Sequence, residues 1–294
     1  MTAYTKRLQK VTAVLCTTAL LAGCAVGTSD NTEPAEPAAT TAQVKAITIE
    51  PTAAYQTMNG FGASACWWSQ EVGNWENAKD ILTLLYDENS GIGLNIYRYN
   101  LGAGSKDDAT ITDPDRRAEA FIDKDGSYHW ERDAAAQNAL ALAKSMNKDL
   151  RVTLFSNSAP VFYTANGKAY CDYLPDDENY VTNLEPERYA DFAKYGIACA
   201  KHFTEAGYRV TGLSPINEPE WSWRGYEDGT AKQEGCYYSK TQCRDLYKVF
   251  LKQMAQEDAL KDCRLEGWES GHIGTDTCMA YLQTMFGKSG VNWL

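Results

Sequence analysis

The residues best equipped for chemistry are Asn217-Glu218-Pro219-Glu220, which follow an apolar run and lead at once to Trp221 and Trp223. The run Val210-Thr211-Gly212-Leu213-Ser214-Pro215-Ile216 reads as a short buried strand, so its C-terminal end delivers an amide and a carboxyl side by side. A carboxyl placed there can protonate an oxygen leaving an acetal carbon, and the amide can hold a neighbouring hydroxyl. Indole faces can stack on the apolar faces of sugar rings. Acid, amide and indoles together point to cleavage of glycosidic bonds. Alone, the tripeptide Asn-Glu-Pro would be no more than a turn after a strand, so the case depends on what the other strand ends carry.

They carry polar and aromatic groups in the same positions. A Gly-rich strand over 59–68 ends in Trp67 and Trp68, and the strand over 94–102 contains Arg98. The strand over 150–158 ends in Asn157 and Ser158, and the one over 264–270 ends near Glu269. Between them the apolar spacing predicts helices around 81–85, 132–146, 186–207, 241–257 and 276–286. The third is the best signalled, with Pro186 in its first turn, Glu185 and Glu187 suited to the dipole there, and Gly207 as a stop. Tyr189, Phe192, Ala193, Gly196, Cys199, Ala200 and Phe203 fall on one face of it and are expected in the core.

Strand and helix alternate five times, the βα repeat of a barrel or of an open doubly wound sheet. A dinucleotide-binding sheet needs a Gly-x-Gly-x-x-Gly turn after its first strand, and Gly91-Ile92-Gly93 precedes a strand instead. The predicted fold class is therefore α/β of the (β/α)8 TIM-barrel type, with about the first five to six βα units present. An earlier alternating stretch, 46–50, is assigned to the barrel or to a β side domain. In barrels of this kind catalytic groups gather at the strand C-termini.

The flanking and bulk features set the context. Lys6, Arg7 and Lys10 precede an apolar stretch over 11–21, the pattern of an export signal too short to span a membrane. It closes on Leu21-Ala22-Gly23-Cys24, which resembles a bacterial lipobox in which Cys24 is diacylated. Residues 1–24 are thus read as a lipoprotein signal, 25–45 as a Thr/Ala/Pro/Glu tether that cannot form a core, and 46–294 as the partial barrel domain. The expected location is extracytoplasmic, with Cys24 anchoring a monomeric protein to the bacterial cell membrane. A net charge of −11 with no basic block argues against nucleic acid and against anionic polymers, and leaves neutral polysaccharides or oligosaccharides as partners. The three His are scattered, the nine Cys match no zinc spacing, and no cofactor or metal is expected; Cys236 and Cys243 are a candidate bridge.

Taken together, five motifs resemble glycoside hydrolase family 30, within clan A of retaining barrel enzymes. They are Gly60-Phe61-Gly62-Ala63-Ser64, the run 97–102 with Arg98, Ser156-Asn157-Ser158-Ala159-Pro160, the run 214–219, and Gln233-Glu234-Gly235-Cys236. Trp67-Trp68 and the Gln-Glu-Gly-Cys run are most similar to endo-β-1,6-galactanase-like members. The resemblance implies that Glu218 is the general acid and then the general base, that Asn217 bonds the hydroxyl beside the anomeric carbon, and that Arg98 holds the nucleophile ionised. Trp67, Trp68, Asn157, Trp221, Trp223 and Glu269 are the expected substrate contacts. It also implies a nucleophilic Glu ending a seventh strand. Five strands are counted, so that Glu is expected beyond residue 294 and these residues by themselves are expected to be inactive. Capture of glycans without cleavage, by a surface lipoprotein, is the alternative; a paired acid and amide at one strand end are not needed for it.

Overall fold

The computed structural model describes residues 50, 52–175 and 180–287. The chain divides into two units, 1–56 and 57–294, and the second holds the strands and helices that follow. The expected signal, Cys24, the tether, residues 46–49 of the early strand, and 291–294 lie outside the described residues.

Among the described residues, five parallel strands form one sheet in the order of the sequence: β1 (Gly62–Ser64), β2 (Ile96–Asn100), β3 (Arg151–Phe155), β4 (Arg209–Ser214) and β5 (Arg264–Leu265). Each strand pairs with the next in sequence, the winding of a barrel; a doubly wound sheet reverses direction at a switch point. The strands are shorter than their apolar runs suggest because the residues beyond each one leave the ladder to build the loops of the site. At β5 the chain rejoins it: Asn217 and Glu269 form an isolated parallel bridge, so the pairing of β4 with β5 resumes at the functional end.

Alternation along the strands separates two faces. Tyr97, Tyr99, Val152, Leu154 and Leu213 are buried in the main core. Tyr97 packs on Tyr86, and Tyr99 on Phe203, with centroids 5.6 and 5.0 Å apart. The opposite face carries Ser64, Arg98, Thr153 and Gly212 in register across four strands. That polar layer is where the side chains available for chemistry project.

The helices supply the outer layer: α1 (Ser69–Val72), α2 (Ala78–Tyr86), α3 (Ala134–Met146), α4 (Tyr189–Glu205), α5 (Lys240–Met254) and α6 (Asp276–Phe286). The face of α4 expected from its spacing is buried in full. Its Phe203 sits among Tyr99, Phe121 and Tyr208, and truncation to Ala there costs about 3–5 kcal/mol. Pro186 opens a 3₁₀ turn, Pro186–Arg188, rather than α4 itself. Helix α5 starts at Lys240, just ahead of the expected position, because Ser239 and Gln242 form a reciprocal capping box. Among the described residues no helix is long and apolar enough to cross a membrane.

Candidate active site

The end of β4 turns sharply. Ser214 is followed by buried Pro215 and Ile216, then Asn217, and Glu218 adopts a left-handed backbone, φ 43°. A non-glycine residue stays there only when neighbours hold it. The Glu218 N–H donates to the Glu269 carbonyl at 2.6 Å, and the Glu218 carbonyl accepts from the Trp223 indole at 2.8 Å. Trp223 is itself left-handed, φ 47°, and its ring lies on Gly235, where a Cβ would come within 2.3 Å of it. Gly235 is therefore required by the indole and not by a turn.

Glu218 is partly buried, and burial raises its pKa above the ordinary Glu value; the nearby Glu220 carboxylate adds to this, while Arg98 and His272 oppose it. These are the conditions that keep a carboxyl protonated long enough to donate. Glu220 is fixed by the next loop: its Oε1 accepts from the Ser270 hydroxyl and from the Gly271 N–H at 2.7 Å, while its Oε2 is buried without a partner. Gly271 packs so closely that a Cβ would lie 2.2 Å from the Trp221 Nε1 and 3.2 Å from the Glu218 Oε1.

Arg98 lies at the floor. Its Nη2 donates to the Asn217 Oδ1 at 3.0 Å, its Nε sits 3.4 Å from the Glu269 carboxylate, and its guanidinium stacks 3.3 Å above the Phe155 ring. The bond to Arg98 orients Asn217 by its oxygen and leaves the amide NH₂ to donate elsewhere. Asn217, Glu218, Arg98 and Glu269 are thus brought together from three strands.

The tryptophans separate into two kinds. Trp221 is half exposed, its ring 5.0 Å from His272, and with Trp223 and Glu218 it lines a cleft of about 410 Å³. Tyr226 and Gln233 also line it. Trp68 instead donates its indole N–H to the Ser64 carbonyl and packs against Tyr97, so it belongs to the wall of the core. Trp67 is half-buried just past β1, and its carbonyl accepts from the Gln70 N–H. Asn157 is buried and donates to the Asn100 Oδ1 at 3.0 Å, with the Cys66 sulfur at 3.5 Å; it ties β2 to β3. A second concavity, about 510 Å³, lies between α4 and α5 and is lined by residues that include Lys194, Lys201 and Glu257.

Sequence reasoning assigns no role to Glu220, His272 or the inward-facing Glu234, although Glu220 and Glu234 stand inside its motifs. Glu234 is fully buried, accepting from the Ala103 N–H at 3.1 Å and the Ser105 hydroxyl at 2.6 Å. Burial pushes its pKa up to about 8. A carboxyl residue directly before Gly235 and Cys236 in Gln233-Glu234-Gly235-Cys236 was the available signal. Among the described residues no group of three or more His, Cys, Asp or Glu could hold a metal.

Side chains gathered at the C-terminal ends of sequentially wound parallel strands define an α/β protein of the barrel type. Residues 44–269 match the model of O-glycosyl hydrolase family 30, and the chain belongs to that family. It is 30% identical to an endo-beta-1,6-galactanase of Hypocrea rufa, over 65% of this chain and 43% of that protein. Identity to an exo-beta-1,6-galactobiohydrolase of Bifidobacterium longum subsp. longum is 28%, over 61% of this chain and 16% of that one. A conserved exported protein from Bacteroides fragilis superposes with a TM-score of 0.69 at 25% identity, covering 81% of this chain and 50% of that structure. The chain thus spans less than half the length of these two curated relatives.

Proposed function

We propose that this chain carries the acid/base half of a retaining glycoside hydrolase acting on β-1,6-linked galactans, with Glu218 as the proton donor. The observation that carries the reading is the Glu218 carboxyl: raised in pKa by burial and Glu220, it faces a cleft walled by Trp221 and Trp223. The two curated relatives act on β-1,6-galactosyl linkages by name, which supports the choice of substrate.

In the first step Glu218 gives its proton to the departing glycosidic oxygen. In the second, as carboxylate, it takes a proton from water. The Asn217 NH₂ holds the hydroxyl beside the anomeric carbon, a contact that tightens as oxocarbenium character grows. Trp221 and Trp223 stack on flanking sugar rings. Retention also needs a second carboxylate about 5–5.5 Å from the acid. The nearby candidates do not serve: Glu269 ends the strand directly adjoining that of Glu218, bridged to Asn217, and Glu220 holds Ser270 and Gly271. We therefore place the nucleophile outside the described residues, with Arg98 poised to hold it ionised. We further propose that Cys24 anchors the protein to the membrane and that the domain works outside the cytoplasm, on the strength of the signal and lipobox pattern.

The test is release of reducing ends by the full-length polypeptide from β-1,6-galactan, β-1,6-glucan and glucuronoxylan, with the anomer of the first product read by NMR. Cleavage of the galactan with retention is expected. Binding of galactan with no cleavage by the full-length protein would establish a capture module instead.

A further inference from the structure

Seven cysteines lie among the described residues, all as thiols, and two of them stand together. Cys171 and Cys236 are 2% and 1% exposed. The backbone sets them side by side. Gly235 donates its N–H to the Ala169 carbonyl at 2.8 Å, and Tyr237 donates to the Cys171 sulfur at 3.4 Å. Cys236, between those two donors, shares a hydrogen bond with Cys171. On its other side Cys171 is laced to the cleft wall: its N–H donates to the Trp223 carbonyl at 2.9 Å, and its carbonyl accepts from Gly225 at 2.8 Å.

We infer that Cys171 and Cys236 become a disulfide that staples the loop after β3 to the loop after β4, behind the aromatic wall of the cleft. Cys243, the partner suggested by spacing, instead lies buried on the core face of α5. Cys199 bonds with Tyr195 and Cys66 with Asn157, so neither competes for the pair.

Burial opposes ionisation of Cys236, but hydrogen bonds from the Cys171 thiol, the Asn183 backbone and the Thr182 hydroxyl help to outweigh it and lower its pKa. Cys171 is held up by its bond to Cys236 and by burial. The thiolate is the attacking form, and either cysteine of the pair can supply it while the loops are open. The oxidant is a protein or small-molecule disulfide of an export compartment. The first thiolate attacks one of its sulfurs, forms a mixed disulfide and expels the other sulfur as a thiolate. The second cysteine then loses its proton and attacks the sulfur of the first, and the oxidant leaves reduced by two electrons and two protons. Because both thiols end buried, the exchange takes place while these loops are closing. Disulfides persist in oxidising compartments, which agrees with the export signal read in residues 1–24.

Trypsin separates the alternatives cleanly. Cleavage after Lys168 and Arg188, after Lys232 and Lys240, and after Arg244 puts Cys171, Cys236 and Cys243 on three different peptides. The full chain is exported to an oxidising compartment, alkylated in denaturant at harvest, digested without reductant and mapped by mass spectrometry. A peptide pair 169–188 joined to 233–240, lost on reduction, is expected. Cys171→Ser should leave Cys236 alkylated. Recovery of both peptides alkylated in the wild-type chain, or of Cys236 joined to Cys243, overturns the inference. The map reads no activity, so its outcome is separate from that of the glycosidase reading.

Discussion

Replacing Glu234 with Gln should remove a large part of a pH dependence built into the fold. The native carboxyl is fully buried and titrates near 8, where an ordinary Glu titrates near 4.5. Below 4.5 both native and unfolded chains hold the proton, and this group's contribution is fully present. Between 4.5 and about 8 the unfolded chain has released its proton while the native chain has not, so stability falls by about 1.4 kcal/mol for each pH unit. Above 8 the loss is complete, at roughly 4–5 kcal/mol, a large part of the stability of a domain. Gln keeps the oxygen that accepts from Ala103 and Ser105, and places its NH₂ where the Glu234 Oε2 has no partner. The amide should therefore cost about 1–2 kcal/mol at pH 5, for an unpaired buried donor, and gain on the wild type as pH rises. Urea unfolding at pH 5, 7 and 9 reads this directly. Asp133, raised to about 7 by burial, adds a similar decline that should survive in Glu234→Gln and end sooner, near pH 7. A wild-type chain as stable at pH 9 as at pH 5, or a Glu234→Gln variant with an undiminished slope, would refute the reasoning.

Other outcomes follow from the site. Glu220→Gln removes a charge that raises the Glu218 pKa, so the basic limb of the kcat/KM profile should move to lower pH while KM holds; an unmoved limb speaks against electrostatic support. Arg98→Met frees both Asn217 and Glu269 and should lower kcat by about 10²-fold or more, in keeping with misplaced catalytic groups; wild-type turnover would show Arg98 to be structural only. Cys24→Ala should release the protein from the membrane fraction and abolish fatty-acid labelling, since the acyl chains attach at that thiol; undiminished label would sink the lipoprotein reading.

What the sequence made legible was local. The periodicity of 189–203 identified the buried face of α4 residue by residue, and the apolar run before Asn217 located β4. Absence of a Gly-x-Gly-x-x-Gly turn pointed to the sequential strand order that the sheet shows. What stayed hidden depends on residues far apart in the chain. The Arg98 bond to Asn217 spans 119 positions, and Glu220 reaches 51 positions to Gly271. Neither spacing nor composition carries such pairs. Trp68 and Asn157 illustrate the same limit from the other side, since each stands at a strand end and yet spends its hydrogen-bonding group on the protein, at Ser64 and Asn100. The neighbour of Cys236 was equally invisible: only six residues separate it from Cys243, yet the fold sets it beside Cys171.

The central claim, that Glu218 is the proton donor, is tested most directly by Glu218→Gln in the full-length polypeptide on two substrates. One is a β-1,6-galacto-oligosaccharide, whose leaving group needs the proton; the other is an aryl galactoside with a leaving group acidic enough to depart without it. The account predicts a fall of about 10²–10⁴-fold in the natural cleavage, with a much smaller loss in the first step on the aryl substrate and unchanged oligosaccharide binding. Cleavage of the oligosaccharide at the wild-type rate, or equal losses on both substrates, would contradict it.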